Sequence, residues 1–140
     1  MSIDTEFLRR CLDTLEHCLE ELKRTDPDGI AYDAYRAACV KEFEIILEQS
    51  GNLLKKVLRA YFADNRRADQ LVFKDLFRYA AKHDLIDAEA CERWLSYRDN
   101  RNDTAHGYGK NFAESTIRLL PDFIADAKAL ADVMEGTDDG

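Results

Sequence analysis

An arginine, a histidine and a tyrosine stand close together in the stretch Arg101-Asn102-Asp103-Thr104-Ala105-His106-Gly107-Tyr108-Gly109. Histidine, with an ordinary pKa near ~6.5, gives or takes a proton around neutrality, so His106 can act as base or acid. Arginine stays charged and grips a phosphate with two parallel hydrogen bonds, which suits Arg101 to an anionic group. Spacing alone is weak evidence, because Arg78 precedes His83 by the same interval. Context separates the two pairs. His83 sits in Arg-Tyr-Ala-Ala-Lys-His-Asp-Leu, a sequence typical of a helix end, whereas His106 is surrounded by polar residues, two glycines and a phenol.

On an unbroken helix, side chains five apart point ~140° away from one another. Arg101 and His106 therefore converge if the helix ends between them, or if a second chain completes the site. The bland alternative is that both residues cap a helix end and pair with Asp99 or Asp103. His17 lies in an amphipathic segment with no Arg or Tyr near it and is expected to be solvated or at the core edge. Trp94 is expected in the core.

The elements that must position this group all read as helices. Residues 4–24 place Leu8, Cys11, Leu12, Leu15, Leu19 and Leu22 at spacings of three and four, one apolar stripe. Thr25 to Gly29 then makes a turn around Pro27. A second stripe, from Tyr35 through Phe43 and Leu54 to Tyr61, predicts a helix over about 31–63, with Lys41, Glu44, Glu48, Asn52 and Lys55 on its polar face. Residues 65–69 read as a polar loop, and 72–83 as a shorter helix carrying Val72, Leu76 and Phe77. Asp87 is an expected N-cap for the helix that carries Cys91, Trp94 and Tyr97. Gly107 and Gly109 break that helix. Asn111 with Glu114 resembles a capping box opening a last helix to about Met134, kinked at Pro121. The expectation is an all-α, up-and-down bundle of about five helices in one domain, with an acidic, flexible tail from about residue 135.

Composition agrees with this. The chain has 140 residues, 46% hydrophobic and 34% charged, with two prolines; that suits a folded domain rather than a disordered segment. The N-terminus does not read as a signal peptide and no run of 18 apolar residues occurs, so a cytoplasmic protein without a membrane span is expected. Cys11, Cys18, Cys39 and Cys91 form no C-x-x-C pair and read as buried free thiols, with no metal site. A net charge of −8 opposes non-specific coating of nucleic acid. Residues 93–110 run the other way, with Arg93, Arg98, Arg101 and Lys110 against Asp99 and Asp103.

The run Trp94-Leu95-x5-Arg101-Asn102-x-Thr104-x-His106-x-Tyr108 resembles the HEPN superfamily, in the branch of HepT-like or nucleotidyltransferase substrate-binding proteins. Arg101, His106 and Tyr108 match its Arg-x4-His-x-Tyr pattern, and Phe43-Glu44-x3-Glu48 resembles its second-helix signature. Gly51 departs from it, since relatives carry a large aromatic there. The resemblance implies a helical, homodimeric, metal-independent ribonuclease without cofactor, in which Arg101 and His106 catalyse and Asn102, Glu44 and Glu48 support them. It also implies a toxin whose antitoxin is an MntA-like nucleotidyltransferase that adenylylates Tyr108. The alternative it leaves is a non-catalytic substrate-binding partner of such a nucleotidyltransferase. A structural dimer with a decayed site is a third, for which the preserved motif gives no encouragement.

Overall fold

The computed structural model describes residues 3–62, 65–104 and 110–137; the side chains of 65, 102–104 and 110 lie outside that description. The helix α1 spans Glu6–Arg24, α2 Ile30–Leu58, α3 Asn65–Asp69, α4 Phe73–Lys82, α5 Ala88–Thr104 and α6 Lys110–Glu135. A 3₁₀ turn, Arg59–Tyr61, follows α2. Among the described residues there is no strand.

The α1 stripe is buried as its spacing predicts, with Leu8, Leu12 and Leu15 at most 1% exposed. Each such leucine contributes about 1.5–3 kcal/mol on leaving water. Asp26 accepts a hydrogen bond from the Asp28 amide at 3.1 Å and closes the turn into α2. The central helix is α2, which packs on α1, α4, α5 and α6. Pairings between side chains give the directions. Glu44 faces Arg101 and Glu48 faces Arg98, so α5 runs antiparallel to α2. Tyr32 faces Glu114 and Phe43 faces Phe123, so α6 runs parallel to it.

Where these helices meet, Trp94 is fully buried, stacked on Phe77 at 4.6 Å and edge-on to Phe123 and Tyr97. Below it Asp126, only 8% exposed, accepts two hydrogen bonds from Arg93 at 2.8 Å each and one from the Tyr97 hydroxyl at 2.5 Å. Burial, reinforced by that bond, holds the Tyr97 phenol well above the usual range. A buried carboxylate is tolerated here because a cation and a hydroxyl both satisfy it.

Several expectations need correction. The second helix stops at Leu58 rather than near 63; the chain tightens into the 3₁₀ turn, and Tyr61 swings out to 44% exposure against the His83 ring at 4.3 Å. Residues 65–69 are a helical turn rather than a loop, held by Arg59 bonding Asp69 at 2.9 and 3.1 Å. Val72 precedes α4 and is 64% exposed instead of joining its apolar stripe.

Asp87 caps α5, accepting the Ala90 amide at 2.7 Å. The last helix begins at Lys110, one residue before the expected cap Asn111, and is continuous through Pro121. All four cysteines are buried and free, and burial pushes the Cys39 thiol up to about 12. Glu135, at the end of α6, is bonded by Arg9 and Thr5 of the N-terminal region, so the start of the supposed tail is anchored. Residues 138–140 lie outside the described residues. No helix of the described chain is long and apolar enough to cross a membrane.

Candidate functional site

The C-terminal half of α5 lies against the polar face of α2, and two acid–base rungs join them. Arg101 Nε stands 3.8 Å from Glu44 Oε2, with the two side chains 37% and 28% exposed. One turn earlier on α5, Arg98 Nη1 stands 3.6 Å from Glu48 Oε2. The rungs follow from helix geometry: spacings of three on α5 and four on α2 each return to the same face after about one turn. Glu44 therefore reaches Arg101, whereas Glu48 reaches Arg98. Asp99, a candidate partner for Arg101 from sequence, binds Lys74 at 2.5 Å.

Both rungs are partly solvated, and each separation exceeds that of a close hydrogen bond. Pairs this exposed and this far apart add little to stability. Arg101 is thus held at the last turns of α5 with more than a third of its side chain facing solvent.

Two further groups of contacts join α2, α5 and α6 near Arg101. Asn100 donates from Nδ2 to Thr116 Oγ1 at 2.9 Å and accepts from Ser115 Oγ at 2.9 Å, pinning the end of α5 to the start of α6. Glu114 accepts from the Tyr32 hydroxyl at 3.0 Å and from Arg36 at 3.0 Å, pinning the same start to α2. Asn100 was not singled out by the sequence, and Glu114 was read only as a capping-box partner of Asn111, since nothing in local spacing links residues that lie 15 and 82 positions apart.

Of the remaining sequence candidates, the side chain of Asn102, and His106 and Tyr108 altogether, lie outside the described residues. The distance between Arg101 and His106 is accordingly not part of the geometry. His17 is exposed on α1, and His83 ends α4 against Tyr61, so neither belongs to the site. Among the described residues, no cluster of His, Cys, Asp and Glu could hold a metal ion.

Arg98 was missed as a site residue, although a signal for it existed: it precedes Arg101 by three as Glu44 precedes Glu48 by four. Its guanidinium lies over the Phe73 ring, 4.8 Å from the centroid. That ring rests on Gly51, where an added Cβ would meet it at 2.9 Å. The space beside Gly51 on α2 is thus filled by a ring from α4.

Known proteins share this fold. Over 102 residues the chain is 28% identical to the probable ribonuclease HepT of Haemophilus influenzae, an alignment covering 73% of this chain and 68% of that protein. The structure of HI0074, also from Haemophilus influenzae and described as revealing the fold of a substrate-binding domain of a nucleotidyltransferase, superposes with a TM-score of 0.80. That match covers 94% of this chain and 98% of the other at 23% identity, and it establishes the fold. Residues 4–136 match the family described as nucleotidyltransferase substrate binding protein like. The chain therefore belongs to that family, the HepT-like branch that the motif around Arg101 resembles.

Proposed function

We propose that this chain is a HepT-like ribonuclease toxin that cleaves RNA, tRNA being the foremost candidate, without a metal ion. The observation that carries the reading is Arg101, facing Glu44 near the end of α5 and five positions before the motif histidine in sequence. Cleavage needs a base for the 2′-hydroxyl, an acid for the leaving 5′-oxygen and a cation for the charge that builds on phosphorus. The 2′-oxygen attacks phosphorus as its proton passes to the base. The bond to the 5′-oxygen then breaks, and that oxygen takes a proton from the acid.

His106 supplies one of the two proton-transfer groups and Arg101 the cation. A homodimer supplies the second imidazole as the partner's His106 and doubles the arginines. Asn102 and Glu44 support this centre, and Glu48 acts through Arg98. The cognate partner is an MntA-like nucleotidyltransferase. Adenylylation of Tyr108 by that partner places bulk and a negative phosphodiester two residues from His106, which excludes an RNA phosphate by sterics and repulsion.

A second reading, a non-catalytic subunit that presents substrate to the nucleotidyltransferase, is favoured by the family's description and by the net charge of −8. Expression in a bacterial host separates the two. Growth arrest by this chain alone, relieved by Arg101→Ala or by co-expressing the nucleotidyltransferase, supports the toxin. Unimpeded growth with abundant, folded and unmodified protein supports the partner subunit.

A further inference from the structure

The chain is acidic as a whole, yet one region is strongly basic. Residues 55–82 hold eight Lys and Arg against Asp64, Asp69 and Asp75, a charge of +5 in a chain of −8. Asp69 is already bound by Arg59, and Asp75 by Arg78. Among the described residues no carboxylate pairs with Lys55, Lys56, Arg67 or Lys82.

These cations are interleaved with rings. The Arg67 guanidinium lies over Phe62 at 5.8 Å and Lys82 Nζ over Tyr79 at 5.6 Å, while Tyr61 is 44% exposed. A cation resting on a ring keeps its charge and loses part of its freedom beforehand, so less entropy is lost when an anion arrives. The region is also continuous with the site. A groove lined by Glu48, Gly51, Asn52, Lys55, Phe73 and Arg98 leads from the Arg98 rung towards the end of α2.

We propose that the end of α2, the 3₁₀ turn, α3 and α4 form a track for an RNA strand whose scissile phosphate lies at Arg101. The inference rests on the ribonuclease reading and deepens it by placing the substrate beyond the reacting phosphate. Positive charge without rings would suit an acidic protein surface equally well. A guanidinium lying flat on a ring, with the 44% exposed Tyr61 beside it, offers planar faces on which bases can stack between the phosphates that the cations hold. The acidic remainder of the chain repels RNA elsewhere and confines the strand to this face. Gly51 contributes by leaving room for Phe73, which carries Arg98 at the junction of track and site.

The test uses the full chain with His106→Ala, so that labelled tRNA stays intact, and measures binding by fluorescence polarisation across salt concentrations. Adding Lys55→Ala, Arg67→Ala and Lys82→Ala together is expected to weaken binding at least tenfold. It should also flatten the slope of log affinity against log salt by ~2 to 3, since each lost phosphate contact removes ~0.7–0.9. The charge-keeping set Lys55→Arg, Arg67→Lys and Lys82→Arg should bind like the parent, and a thermal melt should show both sets folded. Unchanged affinity and slope in the alanine set, or no tRNA binding by the parent, overturns the track, and a protein partner then becomes the occupant to seek. Cleavage by the wild type beside unchanged binding by the alanine set would sink the track alone. Binding lost in that set beside no cleavage by the wild type would sink the ribonuclease reading alone.

Discussion

Arg101 on α5 and Glu44 on α2 face one another at 3.8 Å, and through them the motif arginine takes its orientation from the helix at the centre of the bundle. Both are partly exposed, so the pair contributes to aim more than to folding.

Glu44→Gln keeps the shape and removes the charge. The expected loss of stability is below ~1 kcal/mol, while kcat/KM on RNA falls roughly tenfold or more, ~1.4 kcal/mol of transition-state stabilisation. Denaturant midpoints and cleavage rates of one preparation decide it. A loss of stability without loss of rate would make the contact structural.

In the Arg93–Asp126–Tyr97 group the carboxylate and the phenol are buried, and their bond is stabilising. Asp126→Ala leaves the buried Tyr97 hydroxyl without its acceptor, while Arg93 turns to solvent, and is expected to cost ~2 kcal/mol or more. Tyr97→Phe removes one bond and leaves Asp126 on Arg93, costing ~1 kcal/mol. Urea unfolding with an unchanged m-value measures both. Equal losses would mean that Arg93 contributes nothing.

Gly51 and Phe73 share one space, since a Cβ at 51 would meet the Phe73 ring at 2.9 Å. Gly51→Phe alone is expected to destabilise by ~2 kcal/mol or more through overpacking. Combining it with Phe73→Ala exchanges the position of the ring and should recover at least ~1 kcal/mol, a coupling that a double-mutant cycle reads directly. Additive losses would show that the two side chains do not compete.

Glu135 is held near pKa 2, chiefly by Arg9 and then by the Thr5 hydroxyl, against an ordinary 4.5. Its folded value lies below its unfolded one, so the stability it adds is present above about pH 5 and is lost as pH falls towards 2. Solvent screening keeps that contribution to ~1 kcal/mol or less. Arg9→Ala should flatten this part of the stability–pH profile. An unaltered acid limb would locate the titrating group elsewhere.

The sequence was legible wherever a local rule decided the outcome. The α1 stripe, the Asp26–Gly29 turn and the Asp87 cap each depend on neighbours within four residues, and each forms as those neighbours dictate. It misled where distant packing overruled local pattern. The apolar spacing continues to Tyr61, but the chain turns at Arg59, where Asp69 and His83 offer partners that no helical period reveals. The same holds at the site. Glu44 and Glu48 were legible as one face of a helix, while their division between Arg101 and Arg98 depends on the antiparallel register of α5. Asn100 left no trace in spacing, and Glu114, expected as the partner of Asn111 in a capping box, bonds Tyr32 and Arg36 across a long stretch of chain.

The central claim is that Arg101 and His106 form a ribonuclease centre that needs no metal ion. Purified chain, shown by intact mass to be unmodified at Tyr108, is incubated with total tRNA and EDTA beside Arg101→Ala and His106→Ala. The account predicts that the wild type cleaves despite the chelator and that either variant loses at least ~100-fold in rate, the scale of removing a general acid–base group. Intact tRNA after incubation with a folded, unmodified wild type, or equal cleavage by all three proteins, would contradict it.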